Sequence, residues 1–159
     1  RRATKYPEME QDQEMPDDNE FTVMIVKDWD IPALTRLYRA GGWWNEDRDL
    51  PGLSRLVASS FAFAIAVHRE SGVTAGMGRA ISDGVSDAYI QDLIVLPEFR
   101  DRGVGRMLLG RLVDVCLSRG ITWIALVAEP GTTGFYGGSG FVPMEGHVPM
   151  LYRGRGTVC

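Results

Sequence analysis

Apolar residues recur with two different spacings along this chain, and the spacing changes from one segment to the next. Short runs rich in Val, Ile, Phe and Ala, bounded by Gly, Pro, Asp or Ser, are typical of buried strands. Apolar residues three and four positions apart indicate helices with one buried face. The first pattern predicts strands over residues 21–26, 61–67, 74–81, 88–96 and 121–127, with shorter strands over 141–142 and 148–152.

The second pattern predicts four helices, several of them flanked by residues that suit a helix end. Asp30 suits the N-cap of a first helix that ends at Gly41. A second helix is expected over residues 53–59, a third that ends near Gly120, and a short fourth over 133–138. The order β-α-α-β-β-β-α-β-α-β, with one last strand, predicts an α/β (α+β) fold in which helices cover both faces of a mixed sheet.

The first twenty residues differ from the rest of the chain. Residues 1–20 are rich in Glu, Asp and Gln and have no apolar period, so we predict an acidic flexible tail. Residues 21–159 form the predicted domain. With 159 residues, 45% of them hydrophobic, the chain is long enough for one well-packed core and short for two.

Composition narrows the classes of function. A net charge of −4 argues against a general nucleic-acid binder. The sequence has no apolar run of membrane-spanning length and no signal-peptide pattern, so we expect a cytoplasmic protein with no membrane partner. Two cysteines and two histidines, widely separated, predict neither a disulfide nor a metal site and suggest a reducing compartment.

One stretch carries the clearest chemical signal. An apolar strand stops at Pro97 and leads through a loop with arginines to Gly103-Val104-Gly105 and then to an apolar-periodic helix. The unpaired N–H groups and the dipole of such a helix start favour an anion, and the glycines let a phosphate approach the backbone. The loop lacks the Lys-Ser/Thr of a nucleoside-triphosphate loop and the third glycine of a dinucleotide fold. The alternative is that this is an ordinary helix start that contains glycines and binds no ligand, with its arginines in solvent.

Two motifs identify a family resemblance. Arg100-x-x-Gly103-x-Gly105 resembles the pyrophosphate loop of the GNAT superfamily of N-acetyltransferases. The segment Phe135-Tyr136-Gly137-Gly138-Ser139-Gly140-Phe141 resembles the Phe-Tyr-x-x-x-Gly-Phe segment of the same family. The resemblance covers about residues 21–152. It implies a mixed, mostly antiparallel sheet of six to seven strands with a V-shaped opening between the fourth and fifth.

The resemblance also implies acetyl-CoA as cofactor and a set of residues that bind it. Backbone of Leu93, Ile94 and Val95 would bind the pantetheine arm, and Ala128 would lie on the other lip of the opening. Phe135 and Tyr136 would complete the site. The pyrophosphate would be wrapped by Arg100, Asp101, Arg102, Gly103, Val104, Gly105 and Arg106.

The catalytic residues are also assigned by resemblance. Tyr136 matches the family's general acid, which protonates the coenzyme A sulfur; the alternative is a packing tyrosine beside Phe135. Asp92 is the candidate base, although it is expected to face away from Gln91 and to pair with a residue such as Arg79 instead. Asp83 and Glu129 are further candidates for the base, and a water chain would require none.

The acceptor side has weaker signals. Trp43 and Trp44, in the connection after the first helix, are candidate substrate-binding residues that would hold an aromatic or cationic amine. The alternative is that one or both cover the hydrophobic core. Asp83 is also assigned to the substrate side. The expected function is acetyl transfer from acetyl-CoA to a primary amine of a small molecule. The alternative is a non-catalytic acyl-CoA-binding sensor or partner module of the same fold. A homodimer through residues 148–152 is a further expectation from the family.

Overall fold

One five-stranded sheet organises the described part of the chain, residues 20–44 and 50–154 of a computed structural model. The strands lie side by side in sequence order, the first four antiparallel to their neighbours and the fifth parallel to the fourth. This arrangement confirms the predicted mixed, mostly antiparallel sheet. The strands are β1 (Phe21–Ile25), β2 (Ala62–His68), β3 (Thr74–Ser82), β4 (Asp87–Val95) and β5 (Trp123–Leu126).

Within residues 20–44 and 50–154, four α-helices connect or follow these strands, as predicted. They are α1 (Ile31–Ala40), α2 (Leu50–Ser59), α3 (Val104–Ser118) and α4 (Thr133–Gly137), with a 3-10 turn over Pro97–Phe99 before α3. The Asp30 carboxylate accepts a hydrogen bond from the N–H of Ala33 at 2.9 Å, which confirms the predicted N-cap. The second helix begins three residues earlier than the apolar pattern indicated.

Two glycines of β3 allow α3 to pack closely on one face of the sheet. A Cβ at Gly76 would lie 2.9 Å from a carbonyl oxygen of β4 and 2.9 Å from Leu108 of α3. A Cβ at Gly78 would lie 3.1 Å from Leu112 of α3. Because side chains alternate along a strand, Met77, between these glycines, faces the other side of the sheet, where α1 packs on β3 and β4. The core therefore consists of two layers, one on each face.

A β-bulge interrupts β4 at Asp92. Between the pairs Arg79–Gln91 and Met77–Ile94, β4 has one residue more than β3. Asp92 has a φ of +55°, in the left-handed region that Asp adopts more readily than most residues. A bulge bends its strand and redirects the side chains that follow it, so it changes how the rest of β4 faces its neighbours.

The sheet has fewer strands than the six to seven expected. Residues 141–142 and 148–152 have irregular backbone, and no described segment pairs with the outer edge of β5. Pro143 and Pro149 interrupt this part of the chain, and a proline has no N–H to donate to a ladder. Within the described ranges, no helix has the length and apolar character to cross a membrane. The predicted tail, 1–20, lies outside the described residues except for Glu20.

Candidate functional site

The fourth and fifth strands separate within the sheet. Their parallel pairing extends only as far as Ile90 and Leu126, whereas β4 continues to Val95. Gln91 and the residues after it in β4 pair with β3 alone, so the other edge of this part of β4 has free backbone groups among the described residues. This is the predicted V-shaped opening, and two cavities lie along it.

The larger cavity, of about 790 Å³, lies beside the free edge of β4 and the N-terminus of α3. Gly103 is the N-cap, with a φ of +79°, and no side chain bonds to the first-turn amides. The first intrahelical bond from this turn is donated by the N–H of Met107 to the carbonyl of Gly103, at 3.0 Å. Unpaired N–H groups and a helix dipole therefore face this region, as an anion site requires.

Most of the predicted cofactor residues line this larger cavity. They are Leu93, Ile94, Val95, Arg100, Asp101, Gly103, Val104, Gly105, Arg106, Phe135 and Tyr136. Phe99 and Thr132 also line it and were not predicted. Two arginines bring positive charge to the anion site, and the Nε of Arg100 donates to the carbonyl of Val95 at 3.0 Å. The arrangement fits a diphosphate attached to an extended apolar arm.

Arg102 lies elsewhere, although it belongs to the same loop. Its guanidinium is 5.3 Å from the ring centroid of Phe21 and 5.4 Å from that of Phe99, and it forms an ion pair with Glu20. These contacts hold Arg102 against β1 and the 3-10 turn, and it does not line either cavity. Because Asp101 and Gly103 both have positive φ, the backbone turns between Arg100 and Gly103 and points Arg102 the other way.

Tyr136 lies where the two cavities meet. It lines both of them, and Leu93 is the other residue they share. Its ring packs edge-on against Phe135 at 5.0 Å and against Phe141 at 6.2 Å. Burial, and to a lesser degree the negative charge of Glu129, raise the pKa of the Tyr136 hydroxyl above its ordinary value of 10.0. The phenol therefore keeps its proton at neutral pH and is able to donate it.

Gly105 allows the helix that carries Tyr136 to pack against the predicted anion site. A Cβ at Gly105 would lie 3.3 Å from the ring of Phe135, which precedes Tyr136 on α4. The absence of a side chain thus lets α4 pack directly on the first turn of α3. This contact sets the distance between the predicted phosphate site and the predicted acid.

The smaller cavity, of about 330 Å³, lies on the α1 side of the opening. Four of its lining residues have aromatic rings and two have carboxylates. Its lining residues are Tyr38, Trp43, Tyr89, Ile90, Gln91, Asp92, Leu93, Val127, Glu129 and Tyr136. A cavity of this size suits a small organic molecule, since small-molecule sites start at about 300 Å³.

The carboxylate of Asp92 is held by two partners. Its Oδ2 accepts from Arg79 Nε at 2.7 Å and from the Tyr38 hydroxyl at 2.8 Å. The predicted ion pair with Arg79 is therefore present. The expectation that Asp92 faces away from Gln91 is wrong, because Arg79 also donates to Gln91 Oε1 at 2.9 Å. The bulge breaks the alternation on which that expectation rested.

The predicted substrate residues are not brought together. Trp43 lines the smaller cavity and packs edge-on against Tyr38, at 6.4 Å between ring centroids. Trp44 packs against the core with Arg39 5.8 Å from its ring; its indole N–H is buried without a partner among the described residues. Asp83 is exposed and accepts hydrogen bonds from the backbone of its own turn, which lower its pKa. Trp44, Asp83 and Ala128 line neither of these two cavities.

Sequence reasoning missed Tyr38 as a wall of the smaller cavity. Tyr38 lies on the same face of α1 as Leu34 and Leu37, a spacing typical of core residues, and it is 1% exposed. Its hydroxyl reaches a carboxylate 54 residues away along the chain, a contact that no local pattern signals. Among the described residues, no three His, Cys, Asp or Glu side chains are grouped to hold a metal ion.

Comparison with known proteins gives a consistent result. The model of the acetyltransferase (GNAT) family matches residues 23–141. GCN5-related N-acetyltransferase 1, chloroplastic, of Arabidopsis thaliana is 44% identical over 64 residues, which cover 40% of this chain and 32% of that protein. Serotonin N-acetyltransferase 2, chloroplastic, of Oryza sativa subsp. japonica is 39% identical over 71 residues, covering 45% and 36%. The chain thus spans about a third of the length of these curated relatives.

Solved structures agree on the fold. A GNAT family acetyltransferase of Streptococcus pneumoniae TIGR4 superimposes with a TM-score of 0.72 at 25% identity, over 86% of this chain and 99% of that chain. AAC(6')-Iy, solved in complex with the bisubstrate analogue CoA-S-monomethyl-acetylneamine, has a TM-score of 0.64 at 18% identity, over 86% and 99%. The family model covers most of the chain and both sequence motifs, so this chain belongs to the GNAT acetyltransferase family.

Proposed function

We propose that this protein is an acetyl-CoA-dependent N-acetyltransferase that moves an acetyl group directly to a primary amine of a small molecule. The observation that carries the proposal is that two chemically different cavities share Tyr136 and Leu93. One cavity offers free amides and arginines for an anion, and the other offers aromatic walls and carboxylates for an amine. A donor and an acceptor bound in them would react where the cavities meet.

Acetyl-CoA fits the larger cavity by the chemistry of its donors. The uncapped first turn of α3, with Arg100 and Arg106 beside it, suits the diphosphate, and the unpaired edge of β4 suits the amides of the pantetheine arm. When bound, acetyl-CoA supplies an acetyl group on a thioester, which is already activated toward amines. The complex of AAC(6')-Iy with a CoA-containing analogue supports the same class of cofactor.

Tyr136 is proposed as the general acid. A raised pKa keeps its hydroxyl protonated, so it is able to donate to the departing sulfur. The packing of its ring between Phe135 and Phe141 would hold the hydroxyl in position while the amine and the thioester are kept close. Asp92, bonded to Arg79 and Tyr38, would act on the acceptor side as a structural carboxylate and not as the base.

The acceptor is proposed to be an amine with an aromatic or compact apolar body. Trp43 and Tyr89 give the smaller cavity flat faces that bind such groups. The relative from Oryza sativa that is named serotonin N-acetyltransferase supports an aromatic amine as one member of the class.

The test is coenzyme A release from acetyl-CoA in the presence of a panel of arylalkylamines, polyamines, aminoglycosides, amino acids and peptides. We expect release that depends on the amine and on Tyr136. Tight acetyl-CoA binding without release for any amine would contradict the proposal and favour the alternative, a non-catalytic acyl-CoA sensor.

We also propose that the protein forms a homodimer through its last described segment. Val148, Met150, Leu151 and Tyr152 are 76%, 92%, 78% and 80% exposed, which is unusual for neighbouring apolar side chains. The outer edge of β5 has no partner among the described residues and would accept a strand from a second copy. Light scattering should give twice the chain mass, and Leu151→Asp should give a monomer; a wild-type monomer would refute the proposal.

A further inference from the structure

The charges around the smaller cavity do not balance. No Lys, Arg or His is among its described lining residues, whereas two carboxylates are. Asp92 is neutralised by Arg79 at 2.7 Å and stabilised by the Tyr38 hydroxyl. The carboxylate of Glu129 has no hydrogen bond or ion pair with any described residue. The cavity therefore has one uncompensated negative charge.

The position of Glu129 is defined by its backbone. Its carbonyl accepts from the Thr132 hydroxyl at 2.6 Å and from the Thr132 N–H at 3.1 Å, closing a turn directly after β5. The same turn leads into α4, which carries Tyr136. Glu129 lies close enough to Tyr136 for its charge to raise the pKa of the phenol. Glu129 is exposed and lines the same cavity as Tyr136, so its carboxylate is open to an incoming acceptor on the wall that also carries the phenol.

The rest of the wall is suited to the body of a cationic amine. The rings of Trp43, Tyr89 and Tyr136 line the cavity, and aromatic faces attract an ammonium group as well as flat apolar groups. An acceptor that carries a carboxylate or phosphate would bring its negative charge to Glu129 with no cationic side chain in the described lining to offset it. Such acceptors would be rejected by repulsion and by desolvation.

We propose that Glu129 is the specificity-determining residue of the acceptor site: it binds the ammonium group of the incoming amine and selects amines that carry no acidic group. The inference rests on the proposed function, because it assigns the smaller cavity to the acceptor. Glu129 binds and orients the acceptor. The bound ammonium group releases one proton to water before its nitrogen attacks, and the C–N bond forms as the C–S bond of the thioester breaks. The second proton lost from the nitrogen replaces the one that Tyr136 gives to the departing sulfur.

Tryptamine and tryptophan test this directly, since they share the ring and the amine and differ by one carboxylate. For Glu129→Gln we expect kcat/KM for tryptamine to fall about three- to tenfold through KM, with kcat within twofold, as for loss of one partly exposed charged contact. The ratio of kcat/KM for tryptamine to that for tryptophan should fall about tenfold. Glu129→Lys should lower it further. Glu70→Gln, in the exposed β2–β3 turn, is the matched control and should change neither value.

The failure of this inference is separable from the failure of the proposed function. Calorimetric titration of the CoA-bound protein with tryptamine measures acceptor binding without turnover. An unchanged tryptamine affinity and an unchanged tryptamine-to-tryptophan ratio in Glu129→Gln would overturn the role of Glu129 even if the enzyme acetylates amines. Weaker tryptamine binding to the variant would support it even if wild-type protein released no coenzyme A. An equal loss of kcat for every amine would place Glu129 in the chemical step and overturn a role in selection.

Discussion

Replacing Tyr136 by Phe removes one hydroxyl and leaves the ring. The ring packs edge-on against Phe135 and Phe141, and the hydroxyl has no hydrogen-bond partner among the described residues. The variant should therefore fold normally, and its free energy of unfolding should change by less than about 0.5 kcal/mol, as for a substitution that leaves packing intact. Any loss of turnover then reports on the hydroxyl itself.

The size of that loss follows from the two pKa values involved. A thiol has a pKa of about 8.5 and a phenol about 10, so complete proton transfer to a thiolate costs at least about 2 kcal/mol. Burial and Glu129 raise the pKa of Tyr136 further, which makes complete transfer less favourable. Tyr136 should then act largely as a strong hydrogen-bond donor to developing negative charge, worth about 1.5–3 kcal/mol. We expect kcat to fall about 10- to 150-fold in Tyr136→Phe.

The assay is coenzyme A release with saturating acetyl-CoA and the best amine of the panel, with acetyl-CoA affinity measured in parallel. The affinity should stay within about threefold of wild type, because Tyr136 contributes only part of the wall of the larger cavity. Wild-type turnover in the variant would refute the role of the hydroxyl. A large loss of acetyl-CoA affinity at unchanged kcat would show instead that the residue serves binding.

The same reasoning predicts three further outcomes and a pH dependence. Gly76→Ala should lower the free energy of unfolding by about 1–3 kcal/mol, because the new Cβ would lie 2.9 Å from a backbone oxygen. Gly110→Ala, on α3 where nothing lies within 4 Å of the new Cβ, should raise it by about 0.5–1 kcal/mol. Equal denaturation midpoints for the two variants would contradict this. Arg102→Gln should reduce stability by about 0.5–1 kcal/mol and preserve the salt dependence of acetyl-CoA binding, whereas loss of that dependence would make it a phosphate ligand. Asp83→Ala should lower the melting temperature at pH 7 and not at pH 2. The pKa of Asp83 is lower in the folded protein than in the unfolded chain, so its carboxylate stabilises the fold at pH values above the unfolded-state pKa. This stabilisation is lost as the pH falls through the folded-state pKa. The pKa of Tyr136 is shifted in the opposite direction, upward, so any alkaline loss of kcat should occur above pH 10. In Glu129→Gln this loss of kcat should move to lower pH, because the charge of Glu129 contributes to the shift. An alkaline loss at the same pH in the variant and the wild type would contradict an effect of Glu129 on Tyr136.

Much of the fold was predictable because its signals are local. The Asp30 cap, the helix end at Gly41 and the apolar face of α3 depend on residues a few positions apart, and each was found close to its predicted place. The two motifs were also local: a glycine helix start and a Phe-Tyr helix are recognisable without knowing what they contact. Segments whose structure depends on a distant partner were predicted less well, as the missing strands after α4 illustrate.

The composition of the site depended on contacts between distant residues. Arg100 and Arg102 were both expected to wrap the pyrophosphate, yet Asp101 and Gly103, both with positive φ, turn the first toward the larger cavity and the second onto Phe21 and Phe99. Asp92 became half of an ion pair because a bulge, formed only when β4 pairs with β3, placed it against Arg79.

The chain order of residues therefore indicated the helices and the five strands of the sheet, and it predicted the helix start at which we propose that a phosphate binds, because capping, periodicity and glycine conformations act within one or two turns. It did not specify which charges remain unpaired. That depends on which side chains meet across the sheet: Asp92 found partners on β3 and α1, Glu129 found none among the described residues, and the difference makes one structural and the other a candidate for recognition.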